Sequence, residues 1–266
     1  MFPDLLDLGF IHLHTYGALM AVGFLLSWHL IERLSGRKDL SNLLVLLMVA
    51  GVVGSRLAYV IEHWQAEFAA APLRIIRVDQ GGLMFYGGFI LASLVFALWC
   101  RRRHERPLAL LDLFSTVIPL AHACGRLGCF CYGCCYGLRS DSPLAVAFPA
   151  RSPAWHEQLH AGLIAASAPR ALPVLPTQLF EAAALLVLFT ALYFAYRRFS
   201  ARLPGAVAGA YLVGYGVIRF ALEYVRGDPR WAWAALSISQ LISLGIITAG
   251  AAVWGWAWRS GRRRHG

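Results

Sequence analysis

Read for its alternation of apolar and polar positions, the chain breaks into seven apolar stretches parted by short polar ones. They cover about 16–33, 41–62, 83–100, 107–125, 177–196, 205–225 and 237–258. Each approaches the roughly 20 residues an α-helix needs to cross a bilayer. The pattern predicts an all-α integral membrane protein with seven transmembrane helices. No internal repeat is evident, so a single membrane-embedded domain over 1–266 is expected. The longest polar interval, 138–176, is rich in Pro, Ala and Ser. It reads as a small cap, with a short amphipathic helix expected between Trp155 and Ile164.

The polar intervals alternate in charge. Arg33, Arg37 and Lys38 follow the first stretch, and Arg101, Arg102, Arg103 and Arg106 follow the third. Arg197, Arg198 and Arg202 follow the fifth, and Arg259, Arg262, Arg263 and Arg264 follow the seventh. Basic loops stay on the cytoplasmic side. The N-terminus, the cap and the 63–82 and 226–236 intervals are therefore expected outside, and the C-terminus in the cytoplasm. Composition agrees: 59% of residues are hydrophobic, 14% are charged and the mean hydropathy is +0.59, against about 25% charged in a soluble domain. A net charge of +10 could signal nucleic acid, but its distribution over alternate loops reads as topology, and no nucleic-acid partner is expected. The start, Met1-Phe2-Pro3-Asp4, lacks the basic region and cleavage site of a removable signal peptide. Trp231 and Trp233 are expected in an interfacial aromatic belt.

Several charges lie within or beside the apolar stretches: Arg56, Arg126, Glu181, Arg219 and Glu223. A charge at the bilayer centre costs at least ~2.5 kcal/mol, so such residues pair, line a wet cavity or bind a charged substrate. Arg219, Glu223 and Arg226 share one helix face by their spacing, and so do His122 and Arg126. Between 122 and 137 the chain packs one histidine, one arginine, five cysteines and four glycines. Glycine lets a backbone turn tightly and approach a ligand, and arginine offers a planar fork of donors to phosphate. Tyr16, Tyr86, His122, Arg126, Gln178, Arg219 and Glu223 all fall near the same ends of their stretches. Arginines at that depth suit the phosphate of an outer-leaflet lipid, with the bilayer itself as partner. Gly87 and Gly88 are explained by close helix packing; Gly81 and Gly82 are explained less well by it.

The run Gly125-Arg126-Leu127-Gly128-x-Phe130-x-x-Gly133-x-x-x-Gly137 resembles the signature of the bacterial prolipoprotein diacylglyceryl transferase family. The resemblance continues through Tyr16-Gly17, Gly54-x-Arg56-x-x-Tyr59, Gly81-Gly82 to Gly87-Gly88, and Pro176-Thr177-Gln178-Leu179-Phe180-Glu181. It also takes in Gly216-x-x-Arg219-Phe220-x-x-Glu223 and Ser237-Ile238-Ser239-Gln240-Leu241-x-Ser243. It implies transfer of diacylglycerol from phosphatidylglycerol to the thiol of a lipobox cysteine in a prolipoprotein, releasing glycerol phosphate, in the bacterial plasma membrane and without a cofactor. By the same resemblance, Arg126 and Arg219 clamp the departing phosphate, Glu223 orients Arg219 and Tyr16 supplies a hydroxyl. Arg56, Tyr86, Gly87, Gly88, Gly128, Gly137 and Gln178 are expected to line the lipid site.

The sequence departs from the family pattern at Tyr86, where the family usually has histidine. It departs again at Cys129 and Tyr132, usually asparagine, and at Cys134, usually glutamate. His122 is expected to supply the missing imidazole. Cys129, Cys131, Cys134 and Cys135 admit three readings. One is a covalent nucleophile at Cys134, whose thioether product would be a dead end. Another is a zinc site, since the ligands suffice although the spacing is not a paired CxxC. The third is one or two disulfides, Cys129 with Cys134 among them, as an outward face is oxidising. The functional alternative is a membrane thiol–disulfide oxidoreductase using the 129–135 cysteines.

Overall fold

The computed structural model describes residues 4–7, 12–69, 71–77, 81–227, 232–233 and 236–265. Its eight α-helices are α1 (Thr15–Ser35), α2 (Lys38–Glu62), α3 (Phe85–Arg103), α4 (Pro107–Tyr132), α5 (Pro153–His160), α6 (Thr177–Phe199), α7 (Ala206–Leu222) and α8 (Ile238–His265). Seven helices among the described residues are long and apolar enough to cross a membrane, matching the seven stretches expected; α5 is the exception. Two short antiparallel strand pairs accompany them: β1 (Asp4–Asp7) with β2 (His12–His14), and β3 (Ala232–Trp233) with β4 (Leu236–Ser237). Trp231 lies outside the described residues, as does the side chain of Trp233.

Two helices run seven residues past their expected ends: α8 continues from 258 to His265, and α4 continues from 125 to Tyr132, carrying Arg126 and Cys129 on regular helix. The apolar run ends at Cys124, but nothing in Gly125–Tyr132 forbids helical backbone. The helix stops only at Gly133, whose φ of +84° is the left-handed conformation glycine adopts freely.

The residues fall into two compact units, Ile31–Leu110 and Met1–Leu30 with Leu111–Gly266. In the first, α2 packs along α3 through small residues. A Cβ on Gly87 would lie 2.4 Å from the carbonyl oxygen of Gly54, and one on Gly88 2.6 Å from that of Gly51. The far face of α3 exposes Phe85, Phe89, Ile90 and Leu94, an ordinary surface in lipid and a liability in water. In the second unit α7 packs against both α6 and α8. Its N-terminus is held by Asp112 of α4, fully buried, whose carboxylate accepts from the backbone N–H of Gly205 (2.7 Å) and Ala208 (2.8 Å). This N-cap is supplied by another helix.

The 138–176 interval is folded, with a core of its own. Phe148, Ala154, Trp155, Ala171 and Val174 pack with Tyr136. Helix α5 begins where expected in kind, though over 153–160: Ser152 caps it by accepting from Trp155 N (3.2 Å), and Pro153 occupies the first turn, where its missing N–H costs nothing. Gln158 reaches across to both the N–H and the carbonyl of Leu172 (2.6 and 3.2 Å).

Candidate active site

The second unit brings five helix ends together. Leaving α4, the chain runs antiparallel to the segment that follows α7: Leu138 N donates to Val225 O (2.9 Å) and Gly227 N to Tyr136 O (3.4 Å). The crossing is close enough to require glycine. A Cβ on Gly137 would lie 2.6 Å from Val225 O, and one on Gly227 2.5 Å from Gly137 O. On the other side Gln178 and Thr177, opening α6, donate to the carbonyls of Cys134 (2.6 Å) and Cys135 (2.8 Å). Tyr16, opening α1, lies against Gly128, where a Cβ would meet its ring at 2.7 Å.

Two arginine–carboxylate pairs stand at this junction. Arg126 Nε is 3.1 Å from Glu181 Oε1 and donates to His122 Nε2 at 3.2 Å. The N–H is aimed at the imidazole, so Glu181 provides charge at contact distance without an aligned hydrogen bond. Both contacts use Nε. Across the junction Arg219 Nη2 pairs with Glu223 Oε2 (3.0 Å) and donates to Ser239 Oγ (3.3 Å). Glu223 is fixed in turn by Ser237 Oγ, which donates to its Oε1 (2.7 Å).

Ser237 also caps α8. Gln240 N donates to Ser237 Oγ (3.2 Å) and Ser237 N to Gln240 Oε1 (2.9 Å), a reciprocal capping box. The Ser-x-Ser-Gln spacing therefore both starts a helix and buttresses the Arg219–Glu223 pair. Tyr215 links the two pairs. Its ring lies tilted against His122, with centroids 5.5 Å apart, and Glu181, Arg126, Arg219 and Arg226 all act on its hydroxyl electrostatically. Gln178 is 1% exposed and its Oε1 has no donor among the described residues. A buried unpaired acceptor costs about 1–3 kcal/mol, which a donor on a bound ligand would relieve.

The chain matches the family model described as prolipoprotein diacylglyceryl transferase over residues 3–256. The chain belongs to that family. It is 32% identical to the phosphatidylglycerol–prolipoprotein diacylglyceryl transferase of Methylibium petroleiphilum over 273 residues, covering 97% of this chain and 96% of the relative. The enzymes of the same name from Burkholderia thailandensis and Burkholderia mallei are likewise 32% identical, over 97% of this chain and 95% of theirs. No comparison points to a thiol–disulfide oxidoreductase.

Against this family background, the expected residues divide. Tyr16, His122, Arg126, Gly128, Gly137, Gln178, Arg219 and Glu223 are all placed at the junction. Arg56, Tyr86, Gly87 and Gly88 belong to the other unit. There the guanidinium of Arg56 is fully taken up by backbone: Nε donates to Ile75 O, Nη1 to Gly81 O and Gly82 O, and Nη2 to Arg74 O, at 2.6–3.1 Å. Gly81 and Gly82 have φ of +82° and +69°, and a Cβ on Gly82 would lie 2.5 Å from Arg56 Nη1. That is what the first glycine pair is for. The second pair, Gly87 and Gly88, faces α2, and Tyr86 is 66% exposed.

Glu181 and Tyr215 were not expected as site residues. Glu181 had a signal, an acid four residues inside an apolar helix, but its partner Arg126 is 55 positions away. Tyr215 had none, being one of ten tyrosines.

The cysteines also sort. Cys129, Cys134 and Cys135 place their sulfurs within 4.8 Å of one another. Cys131 stands apart, in a cavity with Ser152 and His156. Beyond the helix end, Cys135 has its thiol pushed well down, first by hydrogen bonds from Cys129 and Cys134 and then by the positive charges of Arg226 and Arg126. Cys134 is pushed up, by its hydrogen bonds with Cys129 and Cys135 and by burial. All six cysteines are unbridged.

Proposed function

We propose that the chain transfers a diacylglyceryl group from phosphatidylglycerol to the lipobox cysteine of a prolipoprotein, in the bacterial plasma membrane. The observation that carries this reading is the junction of two part-buried arginines, each held by a buried carboxylate, in a family whose named members carry out this transfer. The acceptor sulfur attacks the glyceryl carbon, the C–O bond breaks, and negative charge gathers on the departing glycerol phosphate. Preorganised donors aimed at developing charge are the largest source of rate enhancement in such steps. Arg126 and Arg219 supply them. Glu181, Glu223, Ser237 and Ser239 keep them in place, and Gln178 offers its unpaired Oε1 to a headgroup hydroxyl.

In this reading His122 orients Arg126. With Nε2 accepting from a guanidinium, the ring is the Nδ1–H tautomer, and protonating Nε2 would break that bond. Tyr16 contributes its hydroxyl beside Gly128. The basic runs after α1, α3, α6 and α8 favour a cytoplasmic C-terminus and an outward junction and cap; reporter fusions to each loop test that orientation.

Incubating the purified chain with phosphatidylglycerol and a lipobox peptide should yield a peptide heavier by one diacylglyceryl group. A peptide of unchanged mass, with a control enzyme active in the same vesicles, would sink the proposal.

A further inference from the structure

Three thiols meet where α4 unwinds. Cys129 lies in its last turn, and Gly133 N and Cys134 N both donate to the Cys129 carbonyl (2.9 and 3.2 Å). This folds the following residues back over the helix end. Gln178 and Thr177 pin the next two carbonyls from α6. Cys135 has φ of +60°, left-handed backbone in which glycine is the easy choice. This chain places a cysteine there, with its sulfur back within 4.8 Å of the other two. A disulfide between any two would leave the third unused. A thiophilic divalent cation uses all three.

The dimensions and charge fit zinc. Zn–S bonds of ~2.3 Å in a tetrahedron set sulfurs about 3.8 Å apart, so side-chain rotations of about 1 Å close the observed triad. Three thiolates and one Zn²⁺ carry one net negative charge, and Arg126 and Arg226 are the cations whose field reaches Cys135. The same three sulfurs and Arg126 act on Tyr16, so the triad and the phosphate-facing arginine share one neighbourhood. Three protein ligands leave a tetrahedral zinc one position short, the arrangement of catalytic sites.

We propose that Cys129, Cys134 and Cys135 bind one zinc ion as thiolates, and that its fourth position takes the acceptor thiol. The second half rests on the transferase reading. A thiol that coordinates zinc gives up its proton, here to water. Its sulfur then forms the C–S bond, the glyceryl C–O bond breaks with its electron pair, and the released glycerol phosphate takes one proton from solvent. Nothing is oxidised or reduced. This supplies thiol activation that His122, engaged with Arg126, does not.

The test uses the full chain, purified under reductant, with Zn²⁺ measured by elemental mass spectrometry and Co²⁺ as a spectroscopic probe. The wild-type chain should hold about one zinc and give a thiolate-to-cobalt charge-transfer band. Cys129→Ser, Cys134→Ser and Cys135→Ser should lose the band, and Cys131→Ser should keep it. Wild-type chain with no metal above a variant carrying Cys129→Ser, Cys134→Ser and Cys135→Ser together, or with a disulfide within the triad that persists in reductant, overturns the site whether or not the variants fold. A lipobox peptide should shift the cobalt spectrum and its Cys→Ser analogue should not; removing zinc should slow transfer at least about tenfold, reversibly. An unmoved spectrum or undiminished transfer overturns the role of the fourth position. A spectrum that responds to the peptide while no adduct forms at any metal content overturns the transferase reading and leaves the zinc site standing.

Discussion

Arg56 and the pair Arg126–Arg219 look alike in sequence, each an arginine in an apolar helix, and the structure uses them in opposite ways. Arg56 meets backbone carbonyls of the 74–82 segment with every nitrogen, and its face lies over Tyr59 and Phe68 (5.6 and 5.3 Å). It closes a loop. Arg126 and Arg219 are held by carboxylates, Glu181 and Glu223, that are 3% and 5% exposed at their side chains. A carbonyl satisfies a donor and leaves the positive charge uncompensated; a carboxylate fixes both position and charge, at a desolvation cost that needs the whole cluster to offset it. The lesson is that an intramembrane arginine is diagnosed by its partners.

That contrast can be broken or sharpened by substitution. The largest effect is expected at the junction. Arg126→Ala and Arg219→Ala should each lower the transfer rate of the folded protein by about 10²–10³-fold, the loss seen when one preorganised donor is removed, and each should also lower stability because a buried carboxylate loses its partner. Arg56→Lys should lower only the unfolding midpoint in detergent, with specific activity following the folded fraction. Equal kinetic losses in all three, measured on protein of matched folded fraction, would erase the distinction.

Asp112 is the next lever, since it holds α7 and hence Arg219 from the opposite end. Asp112→Ala strips the cap from Gly205 N and Ala208 N and should cost about 2 kcal/mol in denaturant unfolding. Within the Arg56 unit, Gly87→Ala collides with backbone of α2 and should cost about 1–3 kcal/mol. Gly255→Ala, with open space around it, should be tolerated. The smallest effect is chemical. In reduced, chelator-treated protein at mildly acidic pH, Cys135, whose thiol is lowered, should be alkylated before Cys134, whose thiol is raised, because the thiolate is the reacting form. Peptide mapping after a short exposure reads the order.

The seven spans were legible because a bilayer imposes a length and a composition that no packing detail can override. The turn chemistry at Gly133 and the box at Ser237–Gln240 were legible in principle, since both act within four residues. The partner of each charge was not. Glu181 and Arg126 meet across 55 residues, Asp112 and Gly205 across 93, and neither separation leaves a periodic trace.

The stretch from His122 to Gly137 shows both limits. Its residues by themselves determined that a charged, glycine-dense, thiol-rich segment sits at the end of the fourth apolar helix. His122 and Arg126 share a face there for the simple reason that four residues make one helical turn. Which sulfurs meet was decided by tertiary structure. Gly133 ends the helix, α6 pins the two carbonyls that follow, and the left-handed backbone at Cys135 returns its thiol to Cys129, while Cys131, two residues on from Cys129, falls on another face. Spacing along a chain sets which atoms can meet, and only the packed ends of other helices select the ones that do.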